Sequence, residues 1–285
     1  MKRLPVPGLI ILCLLLLLGG CSSVQLMYSQ LDWLIPWYLK DYVSLTDEQN
    51  AFLEKRLRTQ LRWHRNTQLP IYARWLRQIR LDAQNGLTRE ELNYHSERFE
   101  EHWNKLLRQI TPDVSVLFTM VSNEQVAELF TNIEQRNQEY TKDYIELSDG
   151  ELRRKRAERV REHLERWLDE LTAKQIKAVT EWSQRFELNS AETLSYRRQW
   201  QARLRRLLAT RHDADRFEIA LRDHLLNPNR SQSMFLQQRR ARNREVFLEL
   251  LLRIDTLMTV QQRTYLTTKI DELANDFEAL AEAID

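Results

Sequence analysis

At five places along this chain that read as helix starts, an apolar residue is followed by Ser or Thr and, three places later, by Glu or Gln. The segments are Leu45-Thr46-Asp47-Glu48-Gln49, Leu87-Thr88-Arg89-Glu90-Glu91, Val121-Ser122-Asn123-Glu124-Gln125, Leu171-Thr172-Ala173-Lys174-Gln175 and Met258-Thr259-Val260-Gln261-Gln262. In each, the hydroxyl can accept from a free amide of a helix's first turn while the Glu or Gln reaches back to the cap residue. Leu92, Val126 and Ile176 stand where an apolar residue staples onto the one before the cap. Five such starts commit the chain to helices. Glycine agrees: there are 5 in 285 residues, little material for phosphate-cradling loops, tight hairpins or dinucleotide folds.

Apolar residues also recur at helical spacing. Leu53, Leu57, Leu61 and His64 share one face, as do Val126, Leu129, Phe130, Ile133, Tyr140 and Tyr144, and again Val160, Leu164, Trp167, Leu168 and Leu171. Strict alternation is nowhere sustained. The pattern predicts an all-α, multi-helix bundle of ten or more helices joined by short capped turns. Pro36, Pro70 and Pro112 are expected in first turns, where a missing amide proton costs little. The capped starts are unevenly spaced, which argues against a solenoid. One helical domain is expected over 45–285, with a hinge or loop near 227–231 at Asn227-Pro228-Asn229 and Ser231.

The beginning reads differently. Lys2 and Arg3 precede an apolar run from Leu9 to Leu18, then Gly19-Gly20-Cys21, the pattern of a cleaved export signal over 1–20. Ten residues rise about 15 Å as a helix, short of the roughly 30 Å of a hydrocarbon core. Leu18-Gly19-Gly20-Cys21 resembles the lipobox of bacterial lipoproteins. That resemblance implies an acylated Cys21 as the new N-terminus, held in the lipid bilayer by chains that bury about 0.8 kcal/mol per methylene. Ser22, where an Asp would favour inner-membrane retention, points to the periplasmic face of the outer membrane. Cys13 would leave with the signal, so no free thiol is expected for disulfides, metals or nucleophilic catalysis.

Residues 21–44 carry Tyr28, Trp33, Trp37, Tyr38 and Tyr42. These rings suit the base of a helical core, the simpler reading, or a seat in a membrane interface. Charge is more informative. Residues 21–152 hold 15 basic and 20 acidic groups, 153–244 hold 23 and 12, and 245–285 hold 3 and 9. Thr193 to His212 has six Arg and no acid, and Asn229 to Arg244 has five Arg and no acid. Arg197, Arg198, Arg205, Arg206, Arg239 and Arg240 are therefore the expected anion- or partner-binding residues, since the guanidinium fork matches phosphate and carboxylate. An anionic envelope component or an acidic protein fits, whereas a periplasmic address argues against nucleic acid. In the competing arrangement, 245–285 packs beside 153–244 and neutralises it.

Catalytic and metal chemistry finds little support. His95 and His102 lie seven residues apart, too far along a helix to share one zinc readily. His212-Asp213-Ala214-Asp215 places Asp213 where a helix cap is simpler. No metal, cofactor or catalytic residue is expected. The expected role is a non-enzymatic binding or scaffold protein. A holdase gripping clients on apolar helix faces is one alternative, and a cell-wall-active enzyme with two converging carboxylates is another.

Tyr28, Gln30-Leu31-Asp32-Trp33, Pro36-Trp37-Tyr38, Asp41-Tyr42-Val43 and Leu45-Thr46 with Gln49 resemble uncharacterised proteobacterial lipoproteins carrying domain of unknown function 6279. Trp63-His64-Arg65 and Leu69-Pro70 with Tyr72-Ala73 extend the likeness. It implies a location and a helical fold but supplies no mechanism. More weakly, Leu45-Thr46 with Gln49 and Leu171-Thr172 with Gln175 are similar to the Leu-Thr-x-x-Gln motif of small periplasmic stress chaperones.

Overall fold

A computed structural model describes residues 21–283. The expected export signal over 1–20 lies outside them. Twelve α-helices and one short 3-10 helix follow in order: α1 Cys21–Ser29, α2 Leu31–Leu39, α3 Asp47–Thr67, α4 Leu69–Asn85, α5 Arg89–Met120, α6 Asn123–Tyr144, α7 Asp149–Leu168, α8 Ala173–Arg185, α9 Ser190–Leu208, α10 Ala214–Leu226, then Pro228–Ser231, α11 Met234–Thr256 and α12 Val260–Glu282. No strand occurs among the described residues. The fold is the expected all-α bundle.

All five sequence-derived caps form complete boxes, at Thr46, Thr88, Ser122, Thr172 and Thr259. A sixth stands at Ser148, with Glu151 as its third helical residue. Each cap contributes about 1 kcal/mol. Four of the six also act in pairs. Gln49 and Gln125 exchange amide hydrogen bonds of 2.9 and 2.7 Å, and Gln49 also donates to the Met120 carbonyl at 2.7 Å. Gln175 and Gln262 exchange bonds of 2.9 Å, and Gln262 donates to the Glu170 carbonyl at 2.8 Å. The cap glutamines thus join α3 to α6 and α8 to α12, turning a local signal into a long-range contact.

Two prolines depart from expectation. Pro36 sits inside α2, and Pro112 sits inside a continuous α5 rather than opening a new helix. An interior proline removes one backbone bond and strains the preceding turn. At Pro112 the next residue is clasped from α3: Arg56 Nε and Gln60 Nε2 donate to Asp113 at 2.6 and 2.5 Å. Beyond it, Val114 and Phe118 pack with Phe217 and Leu221 of α10. Tertiary contact carries the helix through. Gly86, at the end of α4, has φ 95°, a backbone angle that favours glycine.

The core comes in four clusters. Val24, Leu69, Ala73, Ala274 and Phe277 join α1, α4 and α12, where the two alanines allow close approach. Leu168, Val179, Trp182, Leu250 and Ile254 join α7, α8 and α11. Phe130, Leu204, Leu208, Phe217 and Leu221 join α6, α9 and α10. The smallest cluster is Tyr140, Tyr144, Leu152 and Leu194, where α6, α7 and α9 meet. A fully buried side chain of this size contributes about 1.5–3 kcal/mol.

Candidate functional site

The acidic C-terminal helix α12 packs against α7 and α8 of the basic third, with Trp167 in the same apolar cluster as Leu273 and Phe277 and Gln175 bonded to Gln262 at 2.9 Å. Its carboxylates turn to α4: Arg77 and Arg80 both reach Asp271 at 2.8 Å, and Arg77 reaches Glu278 at 3.0 Å. Few ion pairs link 153–244 to 245–285: Arg185–Glu249, the neighbours Arg244–Glu245, and, with signs reversed, Glu181–Arg253. The basic third is therefore compensated elsewhere or not at all.

Its six expected ligand-binding arginines divide. Arg198 pairs with Glu134 of α6 at 2.6 Å. Arg239 binds Glu192 at 2.9 Å and the Leu188 carbonyl at 2.6 Å. These two are structural ties. Among the described residues, Arg197, Arg205, Arg206 and Arg240 pair with no carboxylate. Arg205 lies over Phe130 at 5.2 Å, and Arg206 is exposed. Arg197 lies over Tyr140 and Arg240 over Tyr196, each 4.9 Å from the ring centre.

The last two converge with Tyr140 and Tyr144, which the sequence marked only as part of a helix face, and with residues of α7 it did not single out. Tyr140 and Tyr144 stack at 4.8 Å, one turn apart on α6. From α7, Arg159 donates to the Tyr144 hydroxyl and lies over its ring, with Lys155 4.6 Å from the same centre. Arg156, also on α7, covers Phe186 at 4.4 Å and reaches Ser190 Oγ at 3.5 Å. The Tyr140 hydroxyl donates to the Ser190 carbonyl at 3.5 Å. Three helices, α7, α9 and α11, thus bring guanidinium groups around one tyrosine pair on α6. Burial lowers the pKa values of Arg156, Arg197 and Arg240 and raises that of Tyr140. The alternating Arg and Tyr at 196–197 and the i, i+4 tyrosines were visible in sequence; their meeting was not.

The aromatic segment also divides. Tyr28 turns inward, its hydroxyl between the Leu61 carbonyl at 3.3 Å and His64 Nδ1 at 3.0 Å. Trp33 is 60% exposed and stacks on Trp37, while Tyr38 and Tyr42 share a hydroxyl hydrogen bond of 3.0 Å. Helix α2 contributes no buried residue. The lipidation site expected at Cys21 is the first described backbone position.

The histidines sit among aromatic rings. Trp75 Nε1 donates to His95 Nδ1 at 3.0 Å, so His95 Nε2 carries the proton donated to Asp82 at 2.9 Å. His102 packs edgewise on Tyr72 at 4.9 Å. Burial pushes His64 down to about 4 and Tyr72 up to about 12. Among the described residues, no group of three or more His, Cys, Asp or Glu could hold a metal ion. A cleft of about 260 Å³ opens at the start of α12 between Arg80 and Arg263; its lining contains no Asp or Glu. No described helix is long and apolar enough to cross a membrane.

No curated protein and no solved structure matches the chain. A family model does match, over residues 41–240, from the end of the aromatic segment through most of the arginine-bearing helices. The chain belongs to that family, a family of unknown function designated DUF6279.

Proposed function

We propose that the protein is an outer-membrane lipoprotein, anchored through acylated Cys21 and facing the periplasm, that binds an anionic envelope component without transforming it. The observation that carries the proposal is that, among the described residues, Arg197, Arg205, Arg206 and Arg240 have no carboxylate partner, whereas Arg77, Arg80, Arg198 and Arg239 are ion-paired. Guanidinium groups, weakly hydrated and forked, pair readily with phosphate and carboxylate. The anchor reading is supported by the signal-like first twenty residues and by the exposed Trp33, Trp37 and Tyr38 close to Cys21, a composition suited to the headgroup region.

The test combines flotation and binding. Full-length protein, expressed with its signal, should incorporate labelled palmitate and lose it in Cys21→Ala. Binding to lipopolysaccharide-containing vesicles should weaken at least tenfold when the four arginines become Gln, and should fall with added salt. Unchanged binding in the fourfold variant sinks the proposal. The large apolar side chains exposed on α4, α5, α10, α11 and α12, Leu81, Tyr94, Val116, Ile219, Met234, Phe235 and Val260, are spread over five helices, so a client-gripping role has no specific observation in its favour.

A further inference from the structure

We infer that Arg156, Arg159, Arg197 and Arg240, gathered around Tyr140 and Tyr144, form a binding site for a phosphoryl group. This rests on the reading of the basic third as a ligand surface and locates its specific site. Three observations carry it. First, none of the four guanidinium groups makes an ion pair among the described residues, and no carboxylate is among the charges acting on Arg197 or Arg240. The neighbouring Glu187 and Glu192 are held by Arg242 at 2.5 Å and by Arg239 at 2.9 Å. Second, Arg197 Nη1 and Arg156 Nε are buried donors without an acceptor. A buried guanidinium donor is costly to leave unpaired, and protein interiors nearly always satisfy such groups. Third, the start of α9 adjoins the cluster, since Tyr140 bonds the Ser190 carbonyl, and its cap residue Asn189 makes no side-chain cap bond. The first amides of α9 therefore add partial positive charge beside the arginines.

The geometry selects the ligand chemistry. The donors come from three helices, α7, α9 and α11, and each of the four guanidinium groups lies near Tyr140 or Tyr144. A phosphoryl group offers three terminal oxygens and about two negative charges to such a set. A single carboxylate, planar and singly charged, would leave donors unused. Stacked tyrosines beneath the guanidinium groups hold them in place without neutralising them, as cation–π contacts do. The phosphoryl group can belong to a small soluble molecule or to a lipid headgroup; the chemistry at the arginines is the same.

The experiment uses the full chain in detergent micelles and reads thermal unfolding. One arm adds inorganic phosphate against chloride at equal ionic strength. The other compares mixed micelles containing phosphatidic acid with micelles containing phosphatidylcholine. Binding to the folded form should raise Tm by roughly 5 °C near saturation. A response to inorganic phosphate assigns a free phosphorylated molecule; a response to phosphatidic acid alone assigns a lipid headgroup. Arg197→Gln with Arg240→Gln should abolish the rise, while Arg205→Gln with Arg206→Gln should keep it. If neither probe moves wild-type Tm, or if the 197/240 variant responds as wild type does, the inference is overturned. Loss of the response only in the 205/206 variant would leave the broader arginine surface standing and remove this site. Both variants are first melted in phosphate-free buffer, where the 197/240 pair should stay within about 2 °C of wild type; a larger fall would make these arginines structural props and overturn the inference too.

Discussion

Two parts of this molecule are rich in arginine, and they use it in opposite ways. Along the seam of α4 and α12, Arg77 and Arg80 share Asp271, Arg77 also takes Glu278, and Arg263 binds Asp255 at 3.0 Å. At the corner of α6, α7, α9 and α11, Arg156, Arg159, Arg197 and Arg240 meet tyrosine and phenylalanine rings instead. In the seam, charge completes a helix contact already set by Ala73, Ala274 and Phe277. In the corner, charge is gathered and left uncompensated, at a cost in folding free energy that packing elsewhere must offset. An arrangement that lowers stability without serving packing is a candidate for function.

The largest test of this contrast concerns an arginine of the basic third that behaves like the seam. Arg211 is 3% exposed and gives its donors to the Val121 carbonyl at 3.0 and 3.1 Å, to the Leu208 carbonyl at 2.8 Å and to Asn123 at 2.8 Å. It closes the turn between α5 and α6 against α9. Arg211→Gln should lower stability by about 3 kcal/mol in urea titration, since several buried acceptors lose their donor at once. A loss below about 1 kcal/mol would erase the distinction between structural and uncommitted arginines.

Acid should probe both parts next. Burial pushes His64, beside the seam, and His224, in the basic third, down to about 4. Both are neutral in the folded protein, whereas an unfolded histidine titrates near 6.5. Below 6.5 the unfolded chain therefore binds more protons, and stability is complete above that pH and declines as pH falls toward 4. By pH 5 each site should forfeit about 2 kcal/mol. His224 stacks on Trp200 at 4.3 Å and its Nε2 has no hydrogen-bond partner, so Phe can replace it with the stack retained. His224→Phe should remove about 2 kcal/mol of the decline between pH 7 and 5. An unaltered acid profile would place the sensitivity outside these two rings.

Within the seam, Asp271→Asn should cost about 1 kcal/mol, with the difference from wild type shrinking in high salt. The groups are about one-third exposed, so water already screens them. A larger, salt-insensitive loss would mean that the seam depends on charge more than on its apolar contact.

Sequence legibility follows the reach of each interaction. Capping boxes are readable because donor and acceptor lie three residues apart, and all five expected ones form. Ser148–Glu151 obeys the same formula, masked by Gly150 in the first turn. The passage of α5 through Pro112 is not readable, because it depends on Asp113 being held from α3. Arginine runs are plain in the sequence, but their partners are not. Arg198 finds Glu134 and Arg197, its neighbour, finds Tyr140, both on α6, and nothing local distinguishes the two.

The smallest expected effect is the most telling one. Arg197→Gln should change stability by less than about 0.5 kcal/mol in anion-free buffer. Two terms oppose each other there. The guanidinium over the Tyr140 ring contributes about 0.5–1 kcal/mol. Its buried Nη1, lacking an acceptor, incurs a desolvation cost of the same order. Loss of both should nearly cancel, whereas Arg211, with all three nitrogens hydrogen-bonded, has no orphaned nitrogen to shed. Parallel urea titrations of the two variants measure the difference directly. Equal losses would mean that Arg197 is as structural as Arg211 and that the corner is packed, not poised. A near-zero loss at Arg197 beside a large one at Arg211 leaves binding as the reason why charge is concentrated where the fold does not need it.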